Sequence, residues 1–317
     1  MAFLAEYGMF ALKLLTIIIG ILILLAGIIS ISKKSQPKVS LESLSDEFES
    51  LKTSLNKVVK PHVKQSRKEL KAKHKAQKEL PSIFVIDFDG DIKASQTEQL
   101  RKAVTAILAV ATEKDQVVIR LNSPGGAVNG YGLAASQLQR IRDKQIPLVA
   151  CIDKIAASGG YLMACVANQI MAAPFAIIGS IGVVAQLPNF HRWLKKHDID
   201  FELLTAGEFK RTLTVFGENT AKGREKFQED IELIHQAFRN YVMQNRQMIN
   251  IDEVATGEHW LALDAYQYRL IDVLKTSDDY LISQMSDYNI YRVKVHSSPA
   301  LMEKLMKPVA KMLHPWS

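Results

Sequence analysis

Two cysteines in 317 residues, Cys151 and Cys165, both in apolar runs, exclude a disulfide framework and read as buried thiols. No His-Glu-x-x-His, Cys-x-x-Cys or phosphate-loop pattern occurs, so neither a metal nor another cofactor is expected. The Gly-x-Ser-x-Gly elbow that often carries a nucleophilic serine is also missing. Excess charge is confined to one stretch. Residues 33–80 hold 13 Lys+Arg against 6 Asp+Glu, a surplus equal to the +7 of the whole chain. The remainder is balanced, and no aromatic interleaves the lysines of the arm. Nucleic acid is therefore not an expected partner; anionic head groups or plain solvation suit such a run better.

What is present is ordinary for a globular protein, 48% hydrophobic and 23% charged, with length for one large or two modest domains. One apolar run stands apart: Leu14 to Ile31, eighteen residues without a charge. About 20 such residues span a bilayer, and Met9 to Leu12 extend the run past Lys13, whose stem can snorkel. A cleaved signal peptide is the alternative, with Ser30-Ile31-Ser32 as a cleavage-like site. The length of the run and the Lys33-Lys34 that follows favour an uncleaved anchor over residues 1–32. Lys33, Lys34 and Lys38 mildly favour a cytoplasmic body by the positive-inside rule.

Residues 33–80 read as a charged stalk. Leu41, Leu44, Phe48, Leu51, Leu55 and Val58 recur at spacings of three and four, one stripe of a helix that Pro61 ends. The half beyond Pro61 is nearly devoid of apolar residues and reads as linker. After Pro81 the pattern changes. Strand-like Ser82–Phe88, Gln116–Leu121 and Pro147–Ile152 alternate with helix-like Thr97–Thr112 and Gly130–Arg142. That alternation means βαβ units and a mainly parallel α/β sheet, whose working groups gather where strands hand over to helices. Two glycine-bearing turns occupy such handovers: Leu121-Asn122-Ser123-Pro124-Gly125-Gly126, and Ala156-Ala157-Ser158-Gly159-Gly160-Tyr161. A serine entering a helix lies near the positive end of the helix dipole, where an oxyanion is favoured. Equally, both turns could be ordinary βα loops.

Together with Gly179-Ser180-Ile181-Gly182-Val183, Gly207-Glu208-Phe209-Lys210-Arg211 and Ala265…Leu270-Ile271-Asp272, these motifs resemble the signal peptide peptidase A family of Ser/Lys peptidases over about Ser82 to Leu274. The resemblance implies a Clp protease/crotonase-like ββα superhelix core behind an N-terminal transmembrane helix. It implies Ser158 as nucleophile, Lys210 as general base, the N–H groups of Gly126 and Gly159 as oxyanion hole, and Ser180 as a hydroxyl orienting the lysine. It also implies a homo-oligomer with active sites at subunit boundaries, and a bacterial inner-membrane location. By family analogy the body lies on the periplasmic side, against the positive-inside argument. One departure from the family pattern is Arg269, where a glycine usually precedes the closing Leu-x-Asp.

The chemistry is coherent on its own terms. A serine hydroxyl needs a neighbour to remove its proton, and a lysine does so only when neutral. That asks for about three pKa units of depression from ~10.4, supplied by burial or nearby positive charge. Phe209 and Arg211 flank Lys210 and act in that direction. Lys154 is a second candidate base, and His235 or His259 could complete a conventional triad. Ser123, restricted by Pro124, reads as part of its turn. Met163, Ala164, Val166, Val183, Val184 and Ala185 suit small apolar side chains of an extended peptide. A further amphipathic helix, Lys222–Met248, carries Phe227, Ile231, Ile234, Phe238 and Val242 on one side, for core packing or a subunit interface. The expected protein is a membrane-anchored serine endopeptidase acting on signal-peptide remnants or other membrane-associated or unfolded polypeptides. It comprises an anchor (1–32), a stalk (33–80), a peptidase domain (81–275) and a C-terminal extension (276–317). A catalytically silent membrane scaffold is the rival reading, and an acyl-CoA enzyme of the same fold has no use for the serine and lysine together.

Overall fold

The structure, a computed structural model, describes residues 7–10, 12–21, 38–60 and 80–296. The chain divides into two compact units, Met1–Lys38 with Val295–Ser317, and Val39–Lys294. In the first, residues 7–10 and 12–21 are helical and exposed. The expected apolar span is thus described only to Ile21, and its part 22–31 lies outside the described residues, as do the distal stalk 61–79 and residues 297–317. Among the described residues no helix is long and apolar enough to cross a membrane.

The second unit is α/β, as the alternating pattern requires. Its main sheet has seven strands in the order β1-β10-β2-β3-β4-β6-β9: Lys38–Ser43, Asn289–His296, Ser82–Asp89, Gln116–Asn122, Leu148–Ile152, Gln169–Ala172 and Val273–Leu274. From β10 to β9 every pairing is parallel. Parallel strands are covered on both faces, which is why their apolar runs are nearly continuous. In β2, Ile83 and Val85 point to one face and Phe84, Ile86 and Phe88 to the other, all buried. Ile83 and Val85 join Val118, Val149 and Met171 in a cluster closed by Leu44 of α1 (Leu44–Val59) and by Tyr280 and Leu281 of α9 (Ser277–Gln284). Helices α2 (Thr97–Leu108), α3 (Val128–Asp143) and α4 (Gly159–Ala164) pack one on the next.

The sheet reaches beyond the 81–275 range read as the peptidase domain. Strand β1 and helix α1 come from the stalk range and β10 from the C-terminal extension, because Leu44 and Ile290 belong to the same apolar core. Residues 40–43, expected to be helical, are strand. Ser43 then caps α1 by accepting from Asp46 N–H at 3.1 Å. Helix α1 docks through Leu44 and Phe48 and leaves Leu51, Leu55 and Val58 exposed.

A second, three-stranded sheet is made by short strands that continue the long ones. Two residues after β4 comes β5 (Ile155–Ala157), and four after β6 comes β7 (Ile177–Gly179). These two pair in parallel, and β8 (His259–Leu261) pairs antiparallel to β7. Ser123, one residue past β3, bridges to Ala156 in the same layer. Three neighbouring strands thus step from the large sheet into the small one, and the step from β4 through β5 delivers the chain into α4.

The remaining helices are α5 (His191–Lys196), α6 (Ala221–Asn245), α7 (Ile251–Val254) and α8 (Ala262–Gln267). Only Gly223 and Val242 of α6 are buried, so its apolar stripe is largely half-exposed. Just past α6, Arg246 grips Asp272 with two hydrogen bonds of 2.7 and 3.0 Å and donates to Arg269 O at 2.9 Å. Asp272 also accepts Ile170 N–H at 2.7 Å. Arg269 has φ 61°, the left-handed region that glycine adopts without penalty.

Arg269→Gly is expected to raise stability by about 1 kcal/mol, read from the urea unfolding midpoint, because the left-handed strain of a side-chain-bearing residue is removed. A pH effect follows from Cys151 and Cys165, whose thiols burial pushes up to about 12. In the unfolded chain they ionise near pH ~8.5. Their contribution to stability is therefore fully present below that value and is lost as pH rises toward the folded value. The unfolding midpoint is expected to fall between pH 8.5 and 11, and less so in a Cys151→Ala, Cys165→Ala double variant, relative to its own value at pH ~7.

Candidate active site

Ser158 is the first residue past β5 and the N-cap of α4, and its backbone sits at φ 51°, ψ −119°. A positive φ is rare for a side-chain-bearing residue, costs on the order of 1–3 kcal/mol, and persists only where surrounding structure over-determines it. Here Ser158 N–H donates to Gly179 O at 2.8 Å, and Ser158 O accepts Leu162 N–H at 2.9 Å. The side chain is half-buried, and its hydroxyl has no hydrogen-bond partner among the described residues. It is open to a reagent from solvent.

The two glycine turns meet at this serine. Gly125 is buried with φ 90°, and a Cβ built there would lie 2.7 Å from both Gly159 N and Ser158 Cβ. The Pro124-Gly125-Gly126 turn therefore passes against Ser158 at a distance only glycine permits. Gly125 N–H donates to Ser123 Oγ at 3.1 Å, whereas the N–H groups of Gly126 and Gly159 meet no acceptor among the described residues. Gly159 N–H opens the first turn of α4, whose N–H groups have no helical partner. Gly126 is exposed. Unpaired N–H donors near a half-exposed serine are what a developing oxyanion requires.

Ser180 follows β7. The parallel register ends at Ala157↔Gly179, so Ser158 and Ser180 each follow the last paired residue, and Ser180 also has a positive φ, 52°. Its N–H donates to Glu258 O at 2.6 Å. Two strained serines thus stand side by side at the end of the small sheet. Lys210 is not brought to them by any hydrogen bond or ion pair among the described residues. It lies in an exposed segment, its N–H on Gly207 O at 3.1 Å. Neighbouring Glu208 pairs with Lys222 of α6, and that lysine lies 5.6 Å from the centre of the Phe209 ring.

The other candidate bases are placed as follows. Lys154 is exposed in the β4–β5 link. His235 lies on α6, 4.0 Å from Glu232. His259 is exposed on β8, paired with Gly179. Ser123 is fully buried, a turn residue as its Pro124 neighbour implied. Met163, Ala164 and Val166 are core, each with no exposed surface, so they cannot line a substrate groove as expected. Of the residues from Gly159 to Ala167 only Leu162 is not buried, so these three have no open face. Val183, Val184 and Ala185 do reach the surface.

Sequence reasoning passes over Tyr131. It is fully buried on α3, its hydroxyl 2.6 Å from Ser123 Oγ and 2.8 Å from Asp91 O. Burial raises its pKa above the usual tyrosine value. Asp91, whose carboxylate is held below its usual range by the Ser95 N–H and hydroxyl, stabilises the loop that receives this contact. Among the described residues no cluster of His, Cys, Asp and Glu could hold a metal ion.

Residues 140–290 match the family model described as peptidase family S49, and residues 2–138 match the one described as peptidase family S49 N-terminal. Among curated proteins, the probable protease SohB of Haemophilus influenzae is 46% identical over 327 residues, covering 95% of this chain and 91% of that protein. The probable protease SohB of Buchnera aphidicola subsp. Schlechtendalia chinensis is 44% identical over 308 residues, covering 90% of this chain and 100% of that protein. Among solved structures, the ClpP protease catalytic domain of Plasmodium falciparum is 13% identical with a TM-score of 0.40, over 68% of this chain and 95% of that one.

Gly125→Ala is expected to slow the reaction of Ser158 with a fluorophosphonate by at least ~100-fold, since its Cβ would drive the turn away from Gly159 N and misplace an oxyanion donor. Labelling of the full chain followed by mass spectrometry reads the rate, and far-ultraviolet circular dichroism checks that the sheet is retained.

Proposed function

The chain belongs to peptidase family S49, and from that membership we propose that it is a serine endopeptidase working through a Ser158–Lys210 dyad on a Clp protease/crotonase-like ββα core. The observation that carries the reading is the backbone of Ser158: strained, half-exposed, followed by the unpaired N–H of Gly159 and packed against Gly125 of the Pro-Gly-Gly turn. Ser158 Oγ attacks the scissile carbonyl carbon while Lys210 Nζ takes its proton. The carbonyl oxygen, now an oxyanion, lies between the two glycine N–H groups. Collapse breaks the C–N bond, the lysine returns the proton to the leaving amine, and water then hydrolyses the acyl-enzyme by the same steps.

Lys210 must be covered before it acts, because burial is what makes a lysine a base near neutral pH. Its segment is rich in apolar side chains that face water: Leu204 is 91% exposed and Phe209 43%. A second copy of the chain laid over that segment supplies the desolvation, which fits a homo-oligomer with active sites at subunit boundaries. Ser180, the residue after Gly179 in the strand paired with that of Ser158, is proposed to hold the lysine once it arrives. The exposed run Val183-Val184-Ala185 accepts an extended polypeptide with small apolar side chains, main chain to main chain. Signal-peptide remnants and other membrane-associated or unfolded polypeptides have that character.

Membrane attachment rests on the apolar run Leu14–Ile31. In its described part Leu14, Ile17 and Ile21 are exposed, as a lipid-facing helix requires. The location proposed is a bacterial inner membrane, with a periplasmic body. In a scaffold that merely binds partners, the separation of Lys210 from Ser158 would be permanent.

Purified full-length chain in detergent is expected to cleave casein, with Ser158→Ala and Lys210→Ala each lowering kcat by at least ~10³-fold at unchanged oligomeric state. Retained cleavage in Lys210→Ala would transfer the base to Lys154 or a histidine. Equal inactivity of all three proteins, on casein and on short apolar peptides, would favour the scaffold.

A further inference from the structure

We propose that Tyr131 is a positioning residue that sets both oxyanion donors at once, through its ring on one side and through Ser123 on the other. The ring packs directly on Gly159, where a Cβ would overlap ring carbons, and it is held edge-on to Phe88 with centroids 6.4 Å apart. The hydroxyl has one proton, and geometry assigns it. Asp91 O can only accept, so Tyr131 donates there at 2.8 Å. Ser123 Oγ, 2.6 Å away, must then donate to Tyr131. That leaves the Ser123 oxygen to accept from Gly125 N–H at 3.1 Å. A one-way chain results: Gly125 N–H to Ser123, Ser123 to Tyr131, Tyr131 to the Asp91 carbonyl.

The chain has two consequences for the site. It holds the Gly125 N–H inward, so that of the two turn glycines only Gly126 keeps a free N–H. It also joins the Gly126 turn to the ring beneath Gly159, so neither donor moves without the other. The surroundings are built around it. A Cβ at Gly90 would overlap both hydroxyls, the wall against Gly126 is the Ile92 carbonyl, and Ala127 N–H bonds that same oxygen at 2.7 Å. Burying two hydroxyls is costly unless both are fully paired. Here they are, in the one place where the paired chain ends at the oxyanion turn.

The inference rests on Ser158 being the nucleophile. Tyr131→Phe keeps the ring and removes the chain's middle link; Ser123→Ala removes its neighbour. Both are compared with the wild type and Ser158→Ala in the full-length protein, by steady-state cleavage of an apolar peptide and by the rate of Ser158 labelling with a fluorophosphonate. The expected result is a fall of at least ~10-fold in kcat and in labelling rate for either variant, with KM within about two-fold of wild type. The double variant should be no worse than about either single one, since both cut one chain. Wild-type kcat and labelling rate in Tyr131→Phe would overturn the inference while leaving Ser158 as nucleophile. A matched loss of activity and folded fraction, with unchanged kcat per folded molecule, would overturn it too. If Tyr131→Phe does not fold, Ser123→Ala decides by the same readings. Absence of labelling at Ser158 in wild type would overturn both this inference and the reading beneath it, and so tells the two failures apart.

Discussion

The hydrogen bond from Ser158 N–H to Gly179 O is the constraint on which the site depends. It extends the β5–β7 ladder by one residue, into a position where the chain must already turn to start α4. The ladder demands an extended direction and the helix demands a compact one. Ser158 meets both only at φ 51°. The strain, on the order of 1–3 kcal/mol, is offset by the ladder bond, by the helical bond from Leu162 N–H, and by the close packing of Gly125 and Gly159. In return the serine side chain leaves the strand–helix junction toward solvent instead of joining the core on either side.

That junction exists because strands change sheets. Had β4 and β6 ended in the main sheet, as in a simple doubly wound fold, Ser158 would cap an ordinary helix and no neighbouring strand would present Gly179 O to it. The two-residue step from β4 to β5 and the four-residue step from β6 to β7 build a second ladder. That ladder also receives Ser123 through its bridge to Ala156, and Ser123 carries the Gly125–Gly126 turn with it. The handover point of three adjacent parallel strands therefore collects Ser158, the Pro-Gly-Gly turn and Ser180 at the edge of one small layer.

Much of this was legible because parallel strands covered on both faces write continuous apolar runs: Ser82–Phe88 and Gln116–Leu121 appear as strands within a residue of their observed bounds. Ser158, Gly126 and Gly159 stood out by their glycine-bearing turns, and Ser180 only through the family resemblance. What stayed hidden has a common cause. Membership in a sheet at long sequence separation leaves no local signal, so β1 and β10 were read as stalk and extension although Leu44 and Ile290 share a core. Burial of nearly all of Gly159–Ala167 is equally invisible, so Met163, Ala164 and Val166 look like groove when they are core. Tyr131, an isolated tyrosine on a helical pattern, gains meaning only when Ser123 and Asp91 O arrive from other elements.

The position of Lys210 follows from the same topology. The small sheet ends at Gly179 and takes up the chain again only at His259. Between them the chain runs through an exposed stretch that holds Lys210 and into the largely exposed helix α6, the two tied by Glu208 with Lys222 and by Phe209 beside that lysine, before Val242 and Arg246 bring it back to the body. The proposed nucleophile and oxyanion donors thus sit at the ends of paired strands, whereas the proposed base lies in a segment whose apolar side chains, Leu204 and Phe209, face water. A protein with both on the core would be an active peptidase as soon as it folded. In the proposed dyad, proton transfer then depends on whatever covers the exposed Lys210, and the second copy proposed as its cover would switch on the chemistry by desolvating it.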